Sequence, residues 1–386
     1  PESISIMTMS ESAETIDKGM AGIVAANTFL SDVRGDIGEL IYCGYNINEL
    51  AENATYEEVI YLLYHKRLPS TEELADLKKN LAGRREVPQG VIDLIKGLPD
   101  DAQPMHTLRT AVSALGCYDS NPESGDDLDA ARDKALNLIA QVPVLIATFH
   151  RLRQDKEVLQ SNPELSEAAN FLWLINGEKP SADMERTIDI CYILHADHGF
   201  NASTFSSRVT IATLTDVYSA VTSAIGTLKG PLHGGANEGV IKMLHEIGEV
   251  DKVDEYVEDC LANKQRIMGI GHRVYTTLDP RAPHLKKMAQ KLTNELGETK
   301  WIDMSERIAE LMKEKKNLNA NVDFYSATVY YSLGIPTDLF TPIFAIARTA
   351  GWTAHILEHL DGNRLIRPKA AYAGDEGKEW VPIENR

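Results

Sequence analysis

The sequence predicts an all-α protein. Apolar residues recur at helical spacing through nearly every periodic segment, and two capping boxes open such segments. No series of alternating runs is present from which a sheet could be built, so the βαβα rhythm of a doubly wound fold is missing.

Taken in order, Thr55-Tyr-Glu-Glu58 is a capping box that opens the run Val59, Ile60, Leu62 and Leu63, which should stop near Leu68-Pro69. Ser70-Thr-Glu-Glu73 repeats the device, and its helix should end near Gly83. Pro104 suits a first helical position, with Leu108, Val112 and Leu115 following before Gly116. The polar stretch 119–128 reads as an exposed loop, and residues 127–153 as a long helix that Pro143 should kink. Further helices are expected over 164–176, 182–196, 203–228, 235–247, 303–316, 324–333 and 341–360. Short strands are expected only near Leu40–Tyr42 and at the C-terminus, and no internal repeat of 20–50 residues is visible.

The 386 residues suggest about two domains. No apolar stretch approaches the roughly 18 residues of a membrane span. Residues 1–20 lack the basic and apolar regions of a signal peptide. Cys43, Cys117, Cys191 and Cys260 form no C-x-x-C pair, which argues against a disulfide framework or cysteine zinc site and for a reducing cytoplasm. With 39 Lys and Arg against 57 Asp and Glu, the net charge of −18 disfavours nucleic acid. The same charge would disfavour anionic metabolites if it were spread evenly, but net charge does not set the charge of a cleft. Lys264–Lys287 holds six cations and one anion, Asp279.

Two glycine- and histidine-rich stretches lie between helices. In Lys229-Gly-Pro-Leu-His-Gly-Gly-Ala-Asn237, His233 sits just before a helix, where free N–H groups favour anions and a neutral imidazole could donate to a developing oxyanion. An ordinary helix-start turn explains the same residues equally well. In Arg266-Ile-Met-Gly-Ile-Gly-His-Arg273, Gly269 and Gly271 allow close backbone approach beside His272. This G-x-G lacks the third glycine and preceding strand of a dinucleotide fingerprint. The proline-stiffened turn Asp279-Pro-Arg281-Ala-Pro283 should fix the orientation of an arginine. Asp323 precedes an apolar helix and reads either as its N-cap or as a desolvated general base. His355-Ile-Leu-Glu-His359 matches the H-x-x-E-H zinc pattern, and His195-Ala-Asp-His198 also invites a metal reading, but no clear third ligand follows.

In order along the chain, GPLHGGAN, IMGIGHRVY, DPRA, NVDFYSA, FTPIFAIARTAGWTAH and IRPKAAY together resemble the citrate synthase family, which includes 2-methylcitrate synthases. The resemblance begins near LIYCGYNINELA and covers most of the chain. It implies an all-α homodimer with a large domain (1–223 and 324–386) and a smaller mobile domain (224–323). It implies that Asp323 takes a methyl proton from acetyl-CoA, that His233 donates to the thioester oxygen and that His272 donates to the ketone of oxaloacetate. His198, Arg281, Arg348 and Arg367 would hold oxaloacetate, with Arg367 completing the partner's site. Lys264, Gln265, Arg266, Ile267, Met268 and Gly269 would bind CoA, partly through backbone groups. No metal and no cofactor is implied, since acetyl-CoA is a substrate; nor is a nucleic-acid or membrane partner. Where relatives commonly read Tyr-Arg-Gly, this chain has Tyr42-Cys43-Gly44, a replacement with no physical account. The nearest rival activity uses propionyl-CoA, one methylene larger. The rivals from other classes are a zinc hydrolase built on His355, Glu358 and His359, and a non-catalytic helical scaffold.

Overall fold

A short antiparallel meander opens the described part of the chain, residues 15–386 of the computed structural model. It consists of β1 (Ser31–Arg34), β2 (Glu39–Tyr42) and β3 (Tyr45–Asn46), with Val33 opposite Leu40 and Ile41 opposite Asn46. The stretch read for a leader peptide lies, for residues 1–14, outside the described residues. Helices follow: α1 (Ile47–Asn53), α2 (Tyr56–His65), α3 (Thr71–Ala82), α4 (Gln89–Gly97), α5 (Pro104–Cys117) and α6 (Leu128–Arg153). Next come α7 (Glu167–Asn176), α8 (Ala182–His195), α9 (Ala202–Ile211), α10 (Val217–Leu228) and α11 (Ala236–Ile247). The last are α12 (Val253–Ala262), α13 (Ala282–Leu296), α14 (Lys300–Lys316), α15 (Val322–Ser332) and α16 (Phe340–Leu360).

The chain divides into two units. Residues 29–365 carry all of these elements. The other unit, residues 15–28 with 366–386, consists of turns and extended chain, with one 3-10 turn at Ile383–Asn385.

Both capping boxes form as read. Thr55 and Ser70 each accept from the backbone of the Glu three residues on, and each Glu reaches back to the cap. Pro104 is the first residue of α5. The single helix expected over 203–228 is two, because Leu214 turns into the left-handed region (φ 64°) and Asp216 caps a new helix by accepting from Ser219 N–H at 2.9 Å. Among the described residues no strand forms at the C-terminus, contrary to expectation. Contrary to the membrane-span reading as well, α6 is long and apolar enough by length and composition to cross a bilayer. Yet 78% of its most apolar window is buried inside the protein, where it packs against α16, α7 and α5.

Two packing contacts position the site. At Gly351, α16 presses on the segment joining α8 to α9, and a Cβ there would lie 2.2 Å from the Ala196 carbonyl oxygen. Arg348 and His355 are thereby placed beside residues 195–199. The second contact ties the loop after α12 to the start of α15. Gly271 N–H donates to Asn319 O (2.8 Å) and Asn321 N–H to Gly269 O (2.9 Å). Gly269 has a φ of +78° and no room for a side chain, since a Cβ would sit 2.8 Å from Val240 and 3.0 Å from the Phe324 backbone.

Candidate active site

Three histidines from three loops bring ring nitrogens to the site, and backbone N–H groups fix the tautomer of His272. His272 Nδ1 accepts the backbone N–H groups of Val274 (2.9 Å) and Tyr275 (3.1 Å), which leaves its ring proton on Nε2. Burial, then the Arg281 charge, pushes its pKa down to about 4, so at neutral pH it is an uncharged donor. His233 Nε2 faces the Ser203 backbone N–H at 3.3 Å, Ser203 Oγ at 2.8 Å and Asn201 Oδ1 at 3.2 Å. Its pKa also falls to about 4, through burial and then Arg348. The turn that carries it is closed by Gly234 N–H on Leu228 O, and a Cβ at Gly234 would lie 2.7 Å from that oxygen. His198 Nε2 lies 2.8 Å from Tyr275 Oη, and its ring centre is 5.8 Å from that of His272. Burial, aided by Arg281 and Arg348, holds His198 uncharged.

Asp323 is not the N-cap of α15. Asn321 takes that role, its Oδ1 accepting the Asp323 N–H at 3.0 Å. The Asp323 carboxylate is therefore released from capping, and it makes no hydrogen bond or ion pair among the described residues. Desolvation pushes its pKa up to about 6 against the pull of Arg281 and Arg348.

The two nearby arginines differ in kind. Arg281 is buried and gripped by Asp279 through two bonds of 3.0 Å, while Asp279 also accepts Val322 N–H at 3.0 Å at the start of α15. Burial opposes the Arg281 charge, but Asp279 prevails and its pKa is raised. Arg348 is equally buried, yet its only polar bond among the described residues runs from Nε to His195 O (2.7 Å), with the guanidinium 4.6 Å from the Phe344 ring centre. No carboxylate pairs with it there, and burial pulls its pKa down to about 10. A buried guanidinium without a counter-ion is costly unless an anion arrives.

Beside His272 opens a cleft of about 540 Å³. Of the residues expected to bind CoA, Lys264, Gln265, Arg266 and Ile267 line this cleft, whereas Met268 and Gly269 do not: Met268 leans on Gly239, and Gly269 is packed against α15. Sequence reasoning missed Arg273, Lys316 and Leu318 on the same walls. The basic end of α14 was the available signal, but nothing in the linear order sets Lys316 opposite Lys264. Arg367 belongs to the other unit, is exposed, and donates from Nη1 to Pro368 O (2.8 Å).

The H-x-x-E-H residues have other occupations. His355 Nδ1 accepts from Arg208 (3.0 and 2.7 Å) and its Nε2 faces Asp197 (3.0 Å). Glu358 pairs with Arg208, and His359 Nε2 meets Arg364 O at 3.0 Å. A cation cannot share the Nδ1 lone pair with a guanidinium, and no group of three or more metal-ligating side chains occurs among the described residues.

Residues 19–369 match the family model described as citrate synthase, C-terminal domain. The chain belongs to the citrate synthase family. It is 51% identical over 373 residues to citrate synthase 2 of Bacillus subtilis, covering 96% of this chain and 100% of that one. It is 42% identical over 376 residues to 2-methylcitrate synthase 1 of Corynebacterium glutamicum, covering 96% and 98%. Among solved structures it matches a ternary complex of carboxymethyl coenzyme A and oxaloacetate with citrate synthase from Thermoplasma acidophilum. That match has a TM-score of 0.90 and 33% identity, over 96% of this chain and 99% of that one. The mostly helical architecture is thus that of citrate synthases, and the site described above is the candidate active site of an acyl-transferring enzyme of this family.

Proposed function

We propose that this protein condenses acetyl-CoA with oxaloacetate and water to give citrate and CoA, and that Asp323 is the base. The observation that carries this reading is the Asp323 carboxylate, unpartnered among the described residues, with its pKa lifted to about 6 and two buried guanidiniums acting on it. A thioester methyl group is a weak carbon acid, so a carboxylate alone is an insufficient base. Each preorganised donor on the forming oxyanion contributes roughly 3–4 kcal/mol.

In this mechanism Asp323 removes a methyl proton while a ring N–H of His233 stabilises the thioester oxygen. The carbon nucleophile adds to the ketone of oxaloacetate, and His272 Nε2–H supports the alkoxide that forms. Water then cleaves the thioester, placing OH on the acyl carbon and H on the CoA sulfur. Arg281, Arg348 and His198 hold oxaloacetate; Arg's planar fork matches a carboxylate. Arg367 from a partner subunit completes the site in a homodimer. CoA lies in the cleft of Lys264, Gln265, Arg266, Ile267, Arg273 and Lys316. Residues 224–323 act as a small domain whose closure excludes water until condensation is complete. We place the activity in the cytoplasm, without metal or cofactor.

Propionyl-CoA differs by one methylene, worth about 1–3 kcal/mol in a pocket. With oxaloacetate as co-substrate, kcat/KM for acetyl-CoA should exceed that for propionyl-CoA by about tenfold or more. A preference for propionyl-CoA would make the protein a 2-methylcitrate synthase.

A further inference from the structure

Among the described residues the His198 side chain hydrogen-bonds only to the Tyr275 hydroxyl, yet the residues on either side of it are held by a buried polar chain. Before it, the Asp197 carboxylate accepts from Ser31 Oγ (2.5 Å) and from His355 Nε2 (3.0 Å to each oxygen). After it, Gly199 N–H donates to the same Ser31 Oγ (2.9 Å), and Gly199 itself has a φ of +63°. The Asp197 carbonyl accepts from Tyr42 Oη at 3.1 Å, and that hydroxyl also donates to Ile193 O at 2.9 Å. Asp197 and His355 are fully buried, and Ser31 is 9% exposed.

The direction of the chain follows from its far end. Arg208 presents two N–H donors to His355 Nδ1 and is itself anchored by Glu358, whose other oxygen accepts Phe29 N–H (3.0 Å). A guanidinium can only donate, so His355 Nδ1 must accept and its proton must lie on Nε2, aimed at Asp197. The order is therefore Glu358, Arg208, His355, Asp197, Ser31, Gly199, with each member oriented by the one before. This gives the H-x-x-E-H pattern a use that involves no metal.

We propose that Asp197, oriented by His355, is a positioning residue that sets His198 for oxaloacetate. The inference rests on His198 holding oxaloacetate, as proposed above. Asp197 touches no substrate; its effect passes through the backbone of its neighbour, where a displacement of about 1 Å can cost roughly 100-fold.

The test is steady-state kinetics on Asp197→Asn, His355→Gln, His355→Leu, His198→Ala and the double variant Asp197→Asn/His198→Ala. Asp197→Asn should lower kcat/KM for oxaloacetate by about 100-fold and leave KM for acetyl-CoA within about twofold. His355→Gln, whose carboxamide N–H can still donate to Asp197, should retain most activity, while His355→Leu should resemble Asp197→Asn. Because Asp197 acts through His198, the double variant should be no worse than His198→Ala alone. Additive losses in the double variant would overturn the proposal. So would unchanged oxaloacetate kinetics in folded Asp197→Asn, or equal losses toward both substrates. If Asp197→Asn does not fold, the Gln and Leu variants at His355 decide, and equal behaviour of the two would refute the role. A different outcome, unchanged oxaloacetate KM in His198→Ala, would instead remove the substrate role of His198 on which the proposal stands.

Discussion

Asp323→Asn should lower kcat for condensation by roughly 10²–10⁴-fold, the range for losing a positioned general base, with the fold retained. The size of the effect follows from the site, which offers no second carboxylate in the same condition: Asp279 is saturated by Arg281 and Val322, and Asp197 by Ser31 and His355. The wild-type acid limb of kcat/KM for acetyl-CoA should fall near pH 6, where Asp323 takes up its proton. His233 and His272 remain uncharged until about pH 4, so they cannot produce that limb, and it should vanish in the variant's residual activity. Stability gives an independent check. The folded-state pKa of Asp323 is raised above its unfolded value, so ionisation opposes folding as pH rises through about 6. Asp323→Asn should accordingly raise Tm at pH 8 and leave it nearly unchanged below the unfolded pKa. A variant with lower Tm at pH 8 would show that the carboxylate has a stabilising partner.

The second large effect separates the two arginines. Arg348→Leu should raise KM for oxaloacetate by about 10–150-fold, matching the roughly 1.5–3 kcal/mol of a charge-assisted hydrogen bond. It should also leave the ligand-free protein as stable as before or more so, because it removes a buried charge that no carboxylate pairs with, at the loss of the bond to His195 O and the contact with the Phe344 ring. Arg281→Leu should weaken oxaloacetate in a similar way, but it should destabilise the fold by about 3–5 kcal/mol, since Asp279 is left buried and unpaired. Thermal unfolding of the two variants side by side checks this. Equal loss of stability in both would mean that Arg348 has a structural counter-ion. On the proposed reading, Arg281 is neutralised for structure and Arg348 is left for a substrate carboxylate.

The features legible in the sequence are those with local causes. Thr55 with Glu58, Ser70 with Glu73, and Pro104 marked helix starts because each meets its partner within one turn. α12 and α13 do carry apolar residues at helical spacing, Val253, Val257 and Cys260 in one and Leu285, Ala289 and Leu292 in the other, but as one narrow stripe among many charged residues. The division of 203–228 had a signal in Asp216, a good N-cap, but the apolar period runs through it and hides the break. At the site, motifs name the histidines and arginines, whereas the tautomer of His272 depends on backbone N–H groups that only folding brings to its ring. Asp323 reads in the sequence as cap or as base; the choice falls to Asn321, two residues earlier, whose side chain takes the capping role. Arg273 and Lys316 face one cleft although 43 positions separate them in the chain.

The most direct measurement of the central claim is product stoichiometry. The purified chain is mixed with acetyl-CoA labelled with ¹³C in the methyl group and with oxaloacetate, free CoA thiol is counted, and the carbon product is read by NMR. One labelled citrate for each thiol released, dependent on oxaloacetate, is the predicted result. Thiol release without citrate, or at the same rate when oxaloacetate is omitted, would contradict a condensing site and leave only a thioesterase.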